Sequence, residues 1–246
     1  MWRVVLNANS SGLEAPLPTA EHALEALRGG PDEAASEAVD GLARVELKAL
    51  KTGPERLTFW LNAYNALFLH ARRRLRPTGS VVTNLLLFER PAWWVGGHLV
   101  SLNDVEHGVL RRNQRGWPFV WRRRFSPGDA RAGLLAERLE PRIHFALNCG
   151  AVSCPPIRVY RPDALDAQLD LATRGFLTAA TRVDRGRNEV TLSALLKLYA
   201  RDFGSRVEAV RFTARHLDGA EGAWLLEHAA AVRVRFGHYD WTLTRA

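Results

Sequence analysis

The twenty residues from Arg56 to Leu75 constrain the fold of this chain more than any other stretch. They contain F-W-L-N-A-Y-N-A-L-F-L-H, preceded by Thr52-Gly53-Pro54-Glu55 and closed by Pro77. A capping hydroxyl, an early proline and an early acid start a helix, and a proline ends one. Leu57, Leu61, Tyr64, Asn65 and Phe68 fall at i, i+4, i+7, i+8 and i+11, so Asn65 lies within an apolar face. Asn62 sits one turn before it. A carboxamide buried without partners costs about 1–3 kcal/mol, so the fold must supply them. Either both asparagines pin a neighbouring loop or they line a site, and the sequence leaves both readings open.

The second informative stretch is Arg142 to Arg158, R-I-H-F-A-L-N-C-G-A-V-S-C-P-P-I-R, which holds both cysteines of the chain. Ile143, Phe145 and Leu147 alternate with His144, Ala146 and Asn148, the period of a strand. Gly150 ends the run, and Pro155-Pro156 blocks an immediate helix or central strand. The expectation is a strand carrying His144, with Cys149 at its end and Cys154 in the loop beyond, where α/β proteins place their chemistry.

The remainder reads as helices and hairpins. Val4 to Leu6 suggest a short strand, Thr19 caps a helix over Ala20–Leu27, and Pro31 opens another to Leu50. Val81–Phe88 is apolar without a clear period. Trp94 to Val100, turning at Gly96-Gly97, reads as a hairpin. Ser101 with Asp104 then opens a helix bearing Glu106, His107 and Arg111. On that helix the adjacent Glu106 and His107 point about 100° apart, and Arg111 lies four residues after His107. Residues 114–138 form a surface loop with Trp117, Phe119 and Trp121. Later come an amphipathic helix through Leu165, Leu169 and Phe176, a second hairpin at 183–191, a Ser193-capped helix, two further helices, and a terminal strand. The economical architecture is one α+β domain, mainly helical with a small mixed or antiparallel sheet. Residues 1–50 form a helical extension and residues 51–246 the main domain.

Composition excludes some classes. The net charge is +8, nearly all from arginine, in clusters at 72–74, 111–112 and 122–124. These read as solvated helix ends and a solvated loop, and nucleic acid is not an expected partner, because no RNP motif, zinc finger or helix-turn-helix spacing accompanies them. Two cysteines make no disulfide framework. No apolar run reaches the ~18 residues of a membrane span, and no signal-peptide core is visible, so the chain as written is cytoplasmic; a start lying upstream would make it an exported protein.

The segments F-W-L-N-A-Y-N-A-L at 59–67, S-L-N-D-V-E-H-G-V-L-R at 101–111, P-R-I-H-F-A-L-N-C-G-A-V-S-C-P-P at 141–156 and Y-D-W-T-L at 239–243 together resemble the domain of unknown function 547 family. The resemblance runs in order from about Leu57 to Leu243. It implies little chemistry. In plants similar domains follow a leucine-zipper region in ternary-complex factors, and bacterial members often stand alone. The resemblance also implies kinship with papain-like and transglutaminase-like cysteine enzymes, whose site begins with a cysteine on a helix. Here that helix offers Trp60, Asn62, Tyr64 and Asn65, with no cysteine, so the thiols at 149 or 154 would have to substitute.

Thiol catalysis needs a thiolate, a base and a group to orient the base. On an extended strand His144 and Cys149 lie roughly 16 Å apart and on opposite faces. Cys154, folded back by the turn at Gly150 towards His144 or His107, is therefore the expected nucleophile. Glu106, with Asn62 and Asn65, orients or polarises, and Tyr64, Arg111 and Cys149 join the asparagines in contacting substrate. The expected activity is a cysteine-dependent hydrolase or acyltransferase on a small-molecule or peptide substrate, with no cofactor and no metal. Three alternatives stand beside it. One is a metal site of His107, His144, Cys149 and Cys154, although C-x4-C is not the common knuckle spacing. Another is a reversible Cys149–Cys154 disulfide. The last is a non-enzymatic protein-binding or scaffolding module with a structural Cys/His cluster.

Overall fold

The computed structural model describes residues 2–115 and 123–244. Trp117, Phe119 and Trp121 of the expected loop lie outside the described residues. The class is α+β, mainly helical, with two small mixed three-stranded sheets. The chain divides into two compact units.

The first unit comprises residues 1–139, 147–165 and 241–246. Its elements begin with β1 (Val4–Val5), α1 (Pro16–Gly29), α2 (Asp32–Gly41) and α3 (Gly53–Leu75). Thr52 caps α3 reciprocally: its Oγ1 accepts from the Glu55 N–H, and the Glu55 carboxylate accepts from the Thr52 N–H. Arg76 adopts a left-handed conformation at the other end, and Pro77 prevents continuation. From Thr58 to Phe68 every residue of α3 is buried, so the helix is enclosed on all sides rather than along one face. It packs closely on α1.

The helix expected from Pro31 to Leu50 stops at Gly41. Short 3-10 turns at Leu42–Arg44 and Leu47–Ala49 follow, because Val45 between them extends to bridge Glu14 in parallel. Val82–Phe88 is a kinked 3-10 segment. The first hairpin forms as expected from β2 (Pro91–Val95) and β3 (His98–Ser101), with Trp93 opposite Val100, and β1 pairs in parallel on the other edge of β2.

The second unit comprises residues 140–146 and 166–240. It contains α4 (Leu165–Ala180), the hairpin β4 (Arg182–Asp184) with β5 (Glu189–Leu192), then α5 (Ala194–Leu198), α6 (Ala200–Phe203), α7 (Arg206–Arg215), α8 (Gly219–His228) and β6 (Arg233–Phe236). The expected terminal strand, β6, pairs in parallel with β5.

The strand expected over Ile143–Asn148 does not form. Pro141–Phe145 is a 3-10 helix, entered through Glu140, whose carboxylate accepts from the Arg142 N–H. Ile143, His144, Phe145 and Ala146 are all buried, so the alternation in sequence had no solvent face to report. Arg142 anchors this turn to α4 through Asp170 at 2.6 Å and Asp166 at 2.8 Å.

Candidate functional site

The thiols sit in a tight loop of the first unit. Gly150 has φ of +83°, and a Cβ there would meet the Phe68 ring on α3 at 2.7 Å, so only glycine fits. Asn148 holds the loop from within: its Oδ1 accepts from the Gly150 N–H at 2.7 Å and its Nδ2 donates to the Pro155 carbonyl at 2.6 Å. Asn65 of α3 accepts from the Asn148 N–H at 3.1 Å. Beyond the turn, Ala151 bridges Leu243, and the Val152 N–H donates to the Thr242 carbonyl. Inside this frame the Cys149 backbone N–H donates to Cys154 Sγ at 3.1 Å. The two cysteines are half-buried thiols, not joined in a disulfide. With no strand present, face parity no longer distinguishes the two cysteines. The amide directed at Cys154 does.

Asn62 makes a two-point clamp on the segment after the loop. Its Nδ2 donates to the Tyr160 carbonyl and its Oδ1 accepts from the Tyr160 N–H, both at 2.9 Å. That amide is spent on pinning a loop, one of the two roles expected for the pair of asparagines.

Glu106 and His107 lie on Asp104–Leu110, a π-helical turn rather than an α-helix, and Arg111 follows as its C-cap. The Arg111 N–H bonds the Glu106 carbonyl and the Asn113 N–H the Gly108 carbonyl, both i→i−5. On this wider turn Glu106 Oε1 comes within 3.6 Å of His107 Nδ1, against the expectation that the two diverge. Tyr64 Oη donates to Glu106 Oε2 at 3.3 Å. Arg111 donates to His107 Nδ1 at 2.8 Å; since arginine only donates, Nδ1 accepts and the ring proton sits on Nε2. Tyr64, Glu106, His107 and Arg111 are thus one buried polar cluster.

His144 belongs to the second unit. Its Nε2 lies 2.8 Å from Asp202 Oδ2, and its ring stacks on Tyr199 at 3.7 Å between centroids. The carboxylate can only accept, so Nε2 carries the proton of this bond. Asp202, 58 residues downstream, was not among the expected residues, and nothing local in Y-A-R-D-F marks it. Asn148 was visible within the cysteine stretch and is marked only by its neighbours.

Among the described residues no group of three or more His, Cys, Asp or Glu is arranged to hold a metal ion. Several clustered arginines are internal rather than solvated: Arg72 and Arg111 are buried, and Arg124 pairs with Glu89 and Asp104. No helix among the described residues is long and apolar enough to cross a membrane.

These features define an α+β protein with a glycine-turned thiol loop braced by an asparagine-bearing helix. The chain matches the family model described as protein of unknown function DUF547 over residues 47–177, more than half its length, and belongs to that family. The matched region contains three of the four motifs; Y-D-W-T-L lies beyond it. No curated protein and no solved structure matches the chain.

Proposed function

We propose that the protein is a cysteine-dependent acyl-transfer enzyme, a hydrolase or acyltransferase, with Cys154 as nucleophile. The observation that carries this reading is the Cys149 N–H directed at Cys154 Sγ, 3.1 Å away in a half-buried loop. A thiolate accepts such a bond more strongly than a thiol does, so the contact favours the reactive form.

Thiol chemistry of this kind also uses a histidine whose tautomer a neighbouring group fixes. The two histidines differ here. On His107, Arg111 donates to Nδ1, which places the ring proton on Nε2. Asp202 holds His144 within the second unit, where both side chains are sealed from solvent. His107, in the same unit as Cys154, is therefore the histidine of the site in this reading, and Tyr64, Glu106 and Arg111 set its state. In the reaction the Cys154 sulfur attacks an acyl carbonyl, the leaving group departs with a proton, and water or a second acceptor releases the acyl group.

The test is p-nitrophenyl acetate, followed by p-nitrophenolate release and by mass of the acylated chain. Acetylation confined to Cys154, lost in Cys154→Ala, kept in Cys149→Ala and slowed about 100-fold or more in His107→Ala, supports the reading. Turnover unchanged in Cys154→Ala removes it.

A further inference from the structure

The C-terminal end of α3 opens on a cavity of about 590 Å3, lined among others by Asp32, Arg72, Arg73, Arg76, Pro77 and Leu243. That volume falls within the range that takes a small molecule, roughly 300–1,000 Å3. Its charge is one-sided, with three arginines against one aspartate.

The arginines are not equivalent. Arg73 is spent on the fold: it donates to the Leu27 and Gly30 carbonyls at the end of α1 and to Asp32 Oδ1 at 3.0 Å. Arg72 is buried and donates through both terminal nitrogens to Thr244, one bond to the hydroxyl at 2.9 Å and one to the carbonyl. Its Nε is buried and has no hydrogen-bond partner among the described residues. Burial pulls the Arg72 guanidinium down from its ordinary pKa, and no acid offsets that pull. Arg76 is exposed and forms no ion pair among the described residues.

Cations suit the C-terminal end of a helix, which accounts for the position of Arg73 and Arg74. It does not account for a buried guanidinium on the cavity wall with no acid beside it, an arrangement that costs stability unless an anion joins it. We propose that this cavity binds a small organic anion. Arg72 and Arg76 hold a phosphate or carboxylate head, and an apolar body lies against Pro77 and Leu243. Guanidinium forks suit both heads.

Calorimetric titration of the full chain with phenyl phosphate and with benzoate tests this. Saturable binding of at least one, weakened about tenfold in Arg76→Gln and unchanged in Arg211→Gln on α7, is the expected result. Preference for phenyl phosphate assigns a phosphate head, and preference for benzoate a carboxylate. Arg76 is exposed, so its replacement leaves folding intact and the comparison stands. No saturable binding of either compound, or equal binding by Arg76→Gln, overturns the proposal.

Discussion

The amide of Cys149 donates to the sulfur of Cys154 across a turn that only glycine can make. The separation of 3.1 Å is maintained by a chain of contacts that starts on α3: Asn65 holds Asn148, and Asn148 holds Gly150 and Pro155. The enclosed helix thus sets the position of the thiol, and changes along this chain have separable consequences.

Gly150→Ala puts a Cβ 2.7 Å from the Phe68 ring at a φ of +83°. The left-handed strain and the overlap together cost about 2–4 kcal/mol. Chemical denaturation of the variant is expected to show that loss, with slower alkylation of Cys154 in the protein that remains folded.

Asn62→Ala leaves the Tyr160 N–H and carbonyl without their partner. At about 1–3 kcal/mol per buried unsatisfied group, the variant is expected to lose about 2–5 kcal/mol in urea unfolding. A loss under 0.5 kcal/mol would mean that water replaces the clamp.

How much of this was legible beforehand depends on how far each partner lies along the chain. The α3 cap, both hairpins and β6 follow from local signals: Thr52 with Glu55, Gly96-Gly97, and the alternation of 232–236. The 3-10 helix at Pro141–Phe145 was hidden because period-2 alternation carries information only when one face meets water, and here neither does. The π turn at Asp104–Leu110 differs from an α-helix by one residue per bond, which no side-chain pattern records. Asn65 was placed correctly on a buried face, but its partner Asn148 and the Asp202 partner of His144 are long-range choices of the fold.

Asp104 sits buried among Arg3 at 2.6 Å, Arg124 at 2.8 Å and Arg131 at 2.9 Å. Burial pushes its carboxyl up, yet Arg124, Arg3 and the Ser101 N–H together outweigh burial and hold it below the usual carboxylate range. A depressed folded pKa gives stability that is complete above about pH 4 and lost as pH falls below it. Asp104→Asn, by stranding three guanidinium groups, is expected to cost about 3–5 kcal/mol at pH 7 and to flatten that acid limb.

His70 behaves oppositely to an exposed histidine. Burial, then Arg74, lower it to about 4, and its Nδ1 accepts the Trp93 Nε1–H at 3.0 Å. Between pH 6.5 and about 4 the unfolded chain binds a proton that the folded state refuses. Stability therefore falls as pH drops through that window, by on the order of 2–3 kcal/mol, and levels off below it. Thermal melts of His70→Gln, which retains an acceptor for Trp93, are expected to lack this segment of the pH profile.

The most direct test of the central claim is the alkylation rate of each cysteine in the native chain, read by peptide mass after timed exposure to iodoacetamide at pH 7. Cys154 is expected to react at least tenfold faster than Cys149, and to lose that advantage when the chain is unfolded in urea. Equal native rates, or a faster Cys149, would contradict the assignment of Cys154 as the activated thiol.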